Sequence, residues 1–251
     1  MIRVSILGTG NVAAHLFRAF LKNEDVEIVQ VVGRNTEALR AFSKQTDTLS
    51  DFTNIAEADI FIIAVKDDAI VKVSEYVKHV KGMVVHTSGG VSMDALSGCR
   101  RHGVFYPLQT FSKNSAVDMR SVPICLEAHD SADTDLLNAL AAMISESVHQ
   151  VDSACRKALH LTAVIVNNFT NHLYYIGQQI CVENELPAEI LQPLIRETAA
   201  KIEQLSPYDA QTGPARRGDH ETISMHLEQL KASKFKAVYE VMSASIEKLY
   251  P

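Results

Sequence analysis

The 251-residue sequence lacks several features that would assign it to a large functional class. Its longest apolar runs, "IFIIAV" at 60–65 and "LTAVIV" at 161–166, fall far below the roughly 20 residues of a membrane-spanning helix. The opening "MIRVSILG" has no basic region, apolar tract or small-residue cleavage site, so the expectation is a cytoplasmic protein with no membrane partner. Basic charge is not in surplus, because 24 Lys and Arg face 30 Asp and Glu for a net charge of −6. No basic face is left to follow a phosphate backbone, which argues against nucleic acid as a partner. Cys99, Cys125, Cys155 and Cys181 form no CxxC pair, and the ten histidines include no HExxH. Reduced, buried thiols and no metal site are therefore expected. There is no G-x-S-x-G elbow to support a serine hydrolase.

What is present is alternation. Between Ile2 and about Val151, the β-branched runs "IRVSIL", "VEIVQVV", "DIFIIAV" and "MVVHTS" are followed by helix-like segments at 11–22, 36–45, 68–80 and 92–101. Continuous apolar strands are those buried on both faces, as parallel strands under helices are. The pattern predicts an α/β domain, a doubly wound, mostly parallel sheet. It is extended by strands at "GVFYPL", "VPICLEA" and "SVHQVD", with a helix at 132–145 between the last two. After Asp152 the β-branched runs vanish, and helices are predicted at about 154–180, 191–205, 221–231 and 234–249, Pro187 and Pro193 breaking the start of the second. The organisation expected is an α/β domain at 1–152 and an all-α domain at 153–251.

The stretch "ILGTGNVAAHL" places Gly8 and Gly10 between a strand and a helix. Gly8 permits the sharp turn, Gly10 lacks the Cβ that would block a pyrophosphate, and Ala13 lets the helix pack on the strand. The free amides of Asn11, Val12 and Ala13, with the helix dipole, make an anion site. A dinucleotide is the expected guest. NAD binders usually carry an acid at the end of the second strand, but here "VVGRNTE" offers Arg34. Its guanidinium matches the 2′-phosphate of NADP, with Asn35 and Thr36 adding neutral hydrogen bonds; otherwise Arg34 is a solvated turn residue and Thr36 a helix cap. Two more strand ends belong with these. In "AVKDDAI", Val65 and Lys66 run along the cofactor while Asp67 or Asp68 caps the next helix; in "HTSGG", Thr87 lies against the cofactor. Ser88 there, with the Gly89 backbone, either holds or acts on a polar substrate group beside the nicotinamide or is a cap in a glycine turn, and His86 is either a partner of substrate or cofactor or a hydrogen-bonded strand histidine.

In that order, "ILGTGNVAAHL", "VVHTSGG", "GVFYPLQTFS", "ALHLTAVIVNNFTNHLY" and "QTGPARRGD" closely resemble the NADP oxidoreductases that join a Rossmann-like domain to a helical C-terminal domain of unknown function. The resemblance spans nearly the whole chain, and the last two motifs are specific to this group. In architecture the group is similar to pyrroline-carboxylate, ketopantoate and deazaflavin-dependent NADP reductases and to 3-hydroxyacid dehydrogenases. It implies a helical domain like the C-terminal one of 6-phosphogluconate dehydrogenase, a small-molecule substrate held between the two domains, and a homodimer formed through residues after about 153.

Carried over residue by residue, the family pattern falls on His160 and Asn168, and on Thr212, Gly213, Pro214, Arg217, Gly218 and Asp219. Helical spacing sets His160, Val164 and Asn167 or Asn168 on one side. His160 is either a general acid toward a carbonyl or imine or a core histidine. Arg217, with its neighbour Arg216, either binds a substrate anion beside Asp219, or Asp219 caps the helix starting near Glu221. The Lys–Asn pair of the 3-hydroxyacid dehydrogenases is missing, since four residues after Lys157 comes Leu161. The reading is thus an NADP(H)-dependent oxidoreductase, the alternative being a non-catalytic nucleotide-binding regulator or scaffold.

Overall fold

The computed structural model describes residues 1–113 and 115–250. It divides into two compact units, Met1–Asn168 and Phe169–Pro251. The boundary expected at 152/153 lies earlier, where the last strand gives way to a helix that still packs within the first unit.

The first unit runs β1 (Ile2–Leu7), α1 (Asn11–Phe20), β2 (Val26–Val32), α2 (Thr36–Leu39), β3 (Asp47–Leu49), β4 (Ile60–Ile63), α3 (Ile70–Ser74), β5 (Met83–His86), β6 (His102–Pro107), β7 (Ile124–Ala128), α4 (Ser131–Ala142), β8 (Val148–Gln150) and α5 (Ser153–Ala163). Among the described residues, the strands form one sheet in the order β3-β2-β1-β4-β5-β6-β7-β8. All pairings are parallel except β6 with β7. This is the doubly wound, Rossmann-like sheet the alternation predicts.

The period-2 geometry of a strand divides its side chains between two cores. Val4, Ile6, Ile60, Ile62 and Val85 face a core shared with Leu16, Phe17 and Phe20 of α1 and Leu137 and Leu140 of α4. Leu7, Phe61, Ile63 and Val84 face a second core with Ile70 and Val73 of α3 and Leu96. Each fully buried Leu, Ile or Phe contributes about 1.5–3 kcal/mol.

Several helices are shorter than the periodicity predicts. The segment 36–45 is helical only to Leu39, then closes by tighter bonds such as Arg40 N–H to the Glu37 carbonyl and Phe42 N–H to the Leu39 carbonyl. The segment 92–101 contains only a 3₁₀ turn, Met93–Leu96, capped by Ser92. These connections keep the amphipathic pattern while winding more tightly, because only a few side chains must reach the sheet. The edge strand β3 has just three residues and leaves no periodic signal. Of the cysteines, Cys99, Cys125 and Cys181 are buried as expected, whereas Cys155 is exposed in the first turn of α5.

One buried ion pair ties α5 to the sheet. Arg156 is 0% exposed; it pairs with Glu127 of β7 and donates to the Val91 carbonyl (2.6 Å) and to the Ser153 hydroxyl (3.1 Å). Glu127 also accepts from the Ser153 amide and hydroxyl at 2.9 and 2.8 Å. From Ala163 the chain passes through a π-helical turn, Val164–Phe169.

The second unit contains α6 (Thr170–Glu183), α7 (Gln192–Lys201), α8 (Pro207–Ala210), α9 (Pro214–Arg217), α10 (His220–Gln229) and α11 (Lys236–Leu249). A 3₁₀ turn, Ala188–Leu191, opens at Pro187, and Pro193 sits in the first turn of α7, giving the broken start predicted. His226 of α10 meets the Tyr239 hydroxyl of α11 at 2.7 Å, and Tyr250 donates to the Tyr208 carbonyl at 2.7 Å. Its buried core is thin, and Ile190, Leu194, Val241 and Leu249 are exposed.

Removing the partner of a buried cation leaves an uncompensated charge, typically a 3–5 kcal/mol loss. Glu127→Ala is therefore expected to lower the unfolding free energy by about 3–5 kcal/mol in denaturant titration. A loss under about 1 kcal/mol would show that Arg156 needs no counter-charge.

Candidate functional site

The carboxyl ends of β1, β2, β4, β5 and β6 open onto one cavity of about 1110 Å³ in the first unit. Strand order reverses between β1 and β4, the switch point where open α/β sheets bind ligands. The volume slightly exceeds the usual 300–1,000 Å³ of a small-molecule pocket.

Gly8 leaves β1 with φ of 136°, a region L side chains rarely adopt, and any Cβ would run into the Ala64 carbonyl. Gly10 needs glycine for another reason: a Cβ there would meet no atom within 4 Å and would stand in the cavity it lines. Gly10 occupies the N-cap of α1 with no side-chain bond over the first turn, which also lacks an acidic residue. The first amides of α1 thus face the cavity beside Gly8, Thr9, Asn11 and Val12. The Asn11 side chain turns away and donates to the Phe111 carbonyl at 2.8 Å, fastening the β6–β7 connection over this turn. The arrangement fits a dinucleotide pyrophosphate.

Arg34 and Asn35 line the cavity beyond Gly33. Arg34 is exposed and makes no ion pair among the described residues. Asn35, not Thr36, caps α2, its Oδ1 accepting from the Ala38 amide at 3.0 Å. Val65, Lys66 and Thr87 line the floor, as do Phe52, Lys72 and Val73, which the sequence reading passed over. Neither Asp67 nor Asp68 caps the following turn; Lys66 holds the N-cap position without a side-chain bond.

The far wall is built by α5 and the end of β6. His160, Ala163, Val164, Asn167 and Asn168 share it, as helical spacing predicts, with Leu159, Tyr106 and Leu108. The Tyr106 hydroxyl lies 3.3 Å from His160 Nδ1, with the rings edge to face at 6.2 Å. Burial pushes the Tyr106 phenol up, so it keeps its proton. Sequence reasoning did not single out Tyr106, although its place at the carboxyl end of a parallel strand was the available signal.

His86 and Ser88 lie behind this wall rather than in the cavity lining. His86 is 0% exposed; its Nδ1 accepts from the Ser88 amide at 3.2 Å and its Nε2 faces the Ser92 carbonyl at 3.3 Å. Ser88 Oγ accepts from the Gly90 and Val91 amides, both at 3.1 Å. Both side chains therefore shape the glycine turn.

Residues 3–87 match the model of the NADP oxidoreductase, coenzyme F420-dependent, family, and 122–246 match a domain of unknown function, DUF2520. BF3122 from Bacteroides fragilis, classed as an NADP oxidoreductase, shares 35% identity over 98% of both chains with a TM-score of 0.92. The chain belongs to this NADP oxidoreductase family. More distant similarity, at the level of fold, extends to the 1-pyrroline-5-carboxylate reductase of Streptococcus pyogenes (16% identity, 98% of both chains, TM-score 0.67). It also reaches an imine reductase of Myxococcus stipitatus in complex with NADP+ (13%, 98% of this chain and 93% of that one, TM-score 0.69). No curated protein matches the chain in sequence.

The motif residues Thr212, Arg217 and Asp219 belong to the second unit. Asp219 caps α10, accepting from the Thr222 amide at 3.1 Å, and these bonds hold its carboxyl below the usual range. Arg217 approaches it at 3.8 Å and is otherwise exposed, while Thr212 is exposed beside Gly213, whose φ is 109°.

Burial first, and then the Arg156 guanidinium, push His86 down from 6.5 to about 4. Because the folded value lies below the ordinary one, the stability linked to neutral His86 is fully present above pH 6.5. It is lost as pH falls through about 4, a loss of roughly 3 kcal/mol. In an NMR titration the His86 ring should stay neutral until about pH 4. Titration of that ring near its ordinary value would contradict the assignment.

Proposed function

We propose that the chain is an NADP(H)-dependent oxidoreductase acting on a small polar carbonyl or imine compound. The supporting observation is a single cavity that joins the uncapped start of α1 and Arg34 to a wall bearing His160 and Asn168. When bound, the reduced nicotinamide supplies the hydride; the residues of the chain bind, orient and protonate.

The α1 amides hold the pyrophosphate and Arg34 the 2′-phosphate, with Asn35 free to donate through its side-chain nitrogen. Val65, Lys66 and Thr87 position the nucleotide along the strand ends. His160 presents an N–H to the substrate heteroatom as charge develops there, and Asn168 adds a neutral anchor. Ser88 contributes by shaping the glycine turn, His86 by supporting it from behind, and Thr212, Arg217 and Asp219 as further candidates for contacting a polar substrate. The missing Lys–Asn pair favours a second reading, a nucleotide-binding regulator without turnover.

The chain is further proposed to act as a homodimer through residues after about 153, a reading supported by the exposed apolar side chains of the second unit. Light scattering at the mass of one 27.7 kDa chain would overturn it.

Calorimetric titration tests the nucleotide. NADP should bind more tightly than NAD, and Arg34→Ala should weaken NADP about tenfold or more while leaving NAD nearly unchanged, the expected loss of charge-assisted hydrogen bonds. Gly10→Val should abolish both. No uptake of either nucleotide by folded protein would sink the assignment. NADPH oxidation screened against keto acids, aldehydes and imines then separates enzyme from scaffold, silence across the panel favouring the scaffold.

A further inference from the structure

We infer that Tyr106 is a positioning residue for His160: its hydroxyl donates to Nδ1 and fixes the imidazole as the Nε2–H tautomer, so that the ring offers a hydrogen-bond donor to the cavity. The role of His160 toward a substrate rests on the proposed function; the state of its ring does not.

Three features converge on this contact. The Tyr106 hydroxyl reaches His160 Nδ1 at 3.3 Å and has no other hydrogen-bond partner among the described residues. Were Nδ1 to carry the proton, it would donate to the phenol oxygen and leave the hydroxyl hydrogen of a largely buried tyrosine without an acceptor. A neutral ring satisfies both groups in one way only, with tyrosine as donor.

Gly89 makes the contact possible. A Cβ there would stand 2.7 Å from Tyr106 Cζ, 2.8 Å from its hydroxyl and 2.8 Å from His160 Nδ1. The backbone of the glycine turn therefore passes directly against the tyrosine–histidine pair, and no larger residue fits without parting it. This gives the first glycine of "HTSGG" a steric role that turn geometry alone does not require, since its φ is not positive.

The third feature is Arg156, one helical turn before His160. Its bonds to the Val91 carbonyl and to Glu127 tie α5 to the end of the same glycine turn and to β7. His160 is thereby held from its own helix while Tyr106 holds it from β6. With Nδ1 committed, Nε2 has no partner among the described residues, on a ring that lines the cavity. The substrate atom it meets is then an acceptor, such as a carbonyl oxygen, an imine nitrogen or a hydroxyl oxygen, and not an ammonium group, which can only donate.

The test reads the ring itself. In protein labelled with ¹⁵N-histidine at neutral pH, two-bond correlation spectra, assigned by loss of the signal in His160→Gln, should show Nε2 protonated and Nδ1 unprotonated and hydrogen-bonded. In Tyr106→Phe, which keeps the aromatic packing, the Nδ1 resonance should move toward that of a free imidazole nitrogen, with Nδ1–H appearing as a minor form. A protonated Nδ1 in the unaltered protein overturns the inference whether or not the variant folds. So does an Nδ1 resonance unchanged in a folded Tyr106→Phe. A failure to bind NADP would remove the proposed function but leave these spectra, and this inference, standing.

Discussion

Gly8 leaves β1 against the Ala64 carbonyl, and the chain then enters α1 with no side chain over its first amides. Those amides are the most demanding groups in the site, because they have no partner in the helix and a partial positive charge gathers on them. A serine or aspartate at the N-cap would satisfy one of them and stabilise the helix over glycine by about a few tenths of a kcal/mol. The chain forgoes that stabilisation with glycine at position 10, and the vacancy is usable only because the rest of the turn is rigid. Rigidity comes from the sheet: Gly8 donates to Val32 at 2.8 Å and Ala64 to Leu7 at 2.8 Å, so the turn is pinned to strands on both sides of the switch point.

A different economy governs the opposite wall. Arg156 is wholly enclosed, and its Nε has no hydrogen-bond partner among the described residues. A buried ion pair of this kind often contributes little net stability compared with an apolar replacement of similar volume. Its benefit is geometric, since an apolar side chain cannot simultaneously grip a strand carboxylate, a loop carbonyl and the first turn of its own helix. The guanidinium also helps keep His86 uncharged behind the glycine turn, so no second cation competes for Glu127. Stability is spread over the two apolar cores, while this polar cluster fixes the register of α5 and with it the height of His160.

What could be read in advance follows the same division. The sheet was legible because strands buried on both faces write continuous apolar runs, as in "IFII" and "MVVH". The glycine turn was legible because Gly8 answers a local steric demand and Gly10 leaves the cavity side of the turn open, and the clustering of His160 with Asn168 because helical spacing carries it. Tyr106 was not, since nothing nearby in sequence distinguishes a tyrosine that packs from one that bonds to a histidine 54 positions away. His86 and Ser88 illustrate the reverse problem. Polar residues at a strand end suggest a ligand, yet both are consumed by the turn they sit in, a competition that only the backbone path reveals. Glu127 and Arg156 gave no signal at all, because a charge near the end of a strand and a charge on an amphipathic helix usually face water. The span of the first unit, which reaches Asn168 rather than ending with β8, was hidden for the same reason.

The two ends of the cavity also differ in how they can discriminate. Arg34, Lys66 and Lys72 bring positive charge to one end, exposed and therefore screened by salt. Binding there gains strength from phosphate but little selectivity beyond counting charges. At the other end Tyr106, His160, Asn167 and Asn168 are hydrogen-bonding groups set among Leu108, Leu159, Ala163 and Val164. A site of that kind rejects an analogue lacking the matching acceptor more severely than one differing by a methylene, because the polar groups are left unpaired. If the nucleotide lies along the strand ends as proposed, affinity resides mainly with the cofactor and selectivity with the ring of His160. A group made to discriminate by a single hydrogen bond must have its donor in one place only, and that requirement explains why so much of this wall is spent on holding one imidazole still.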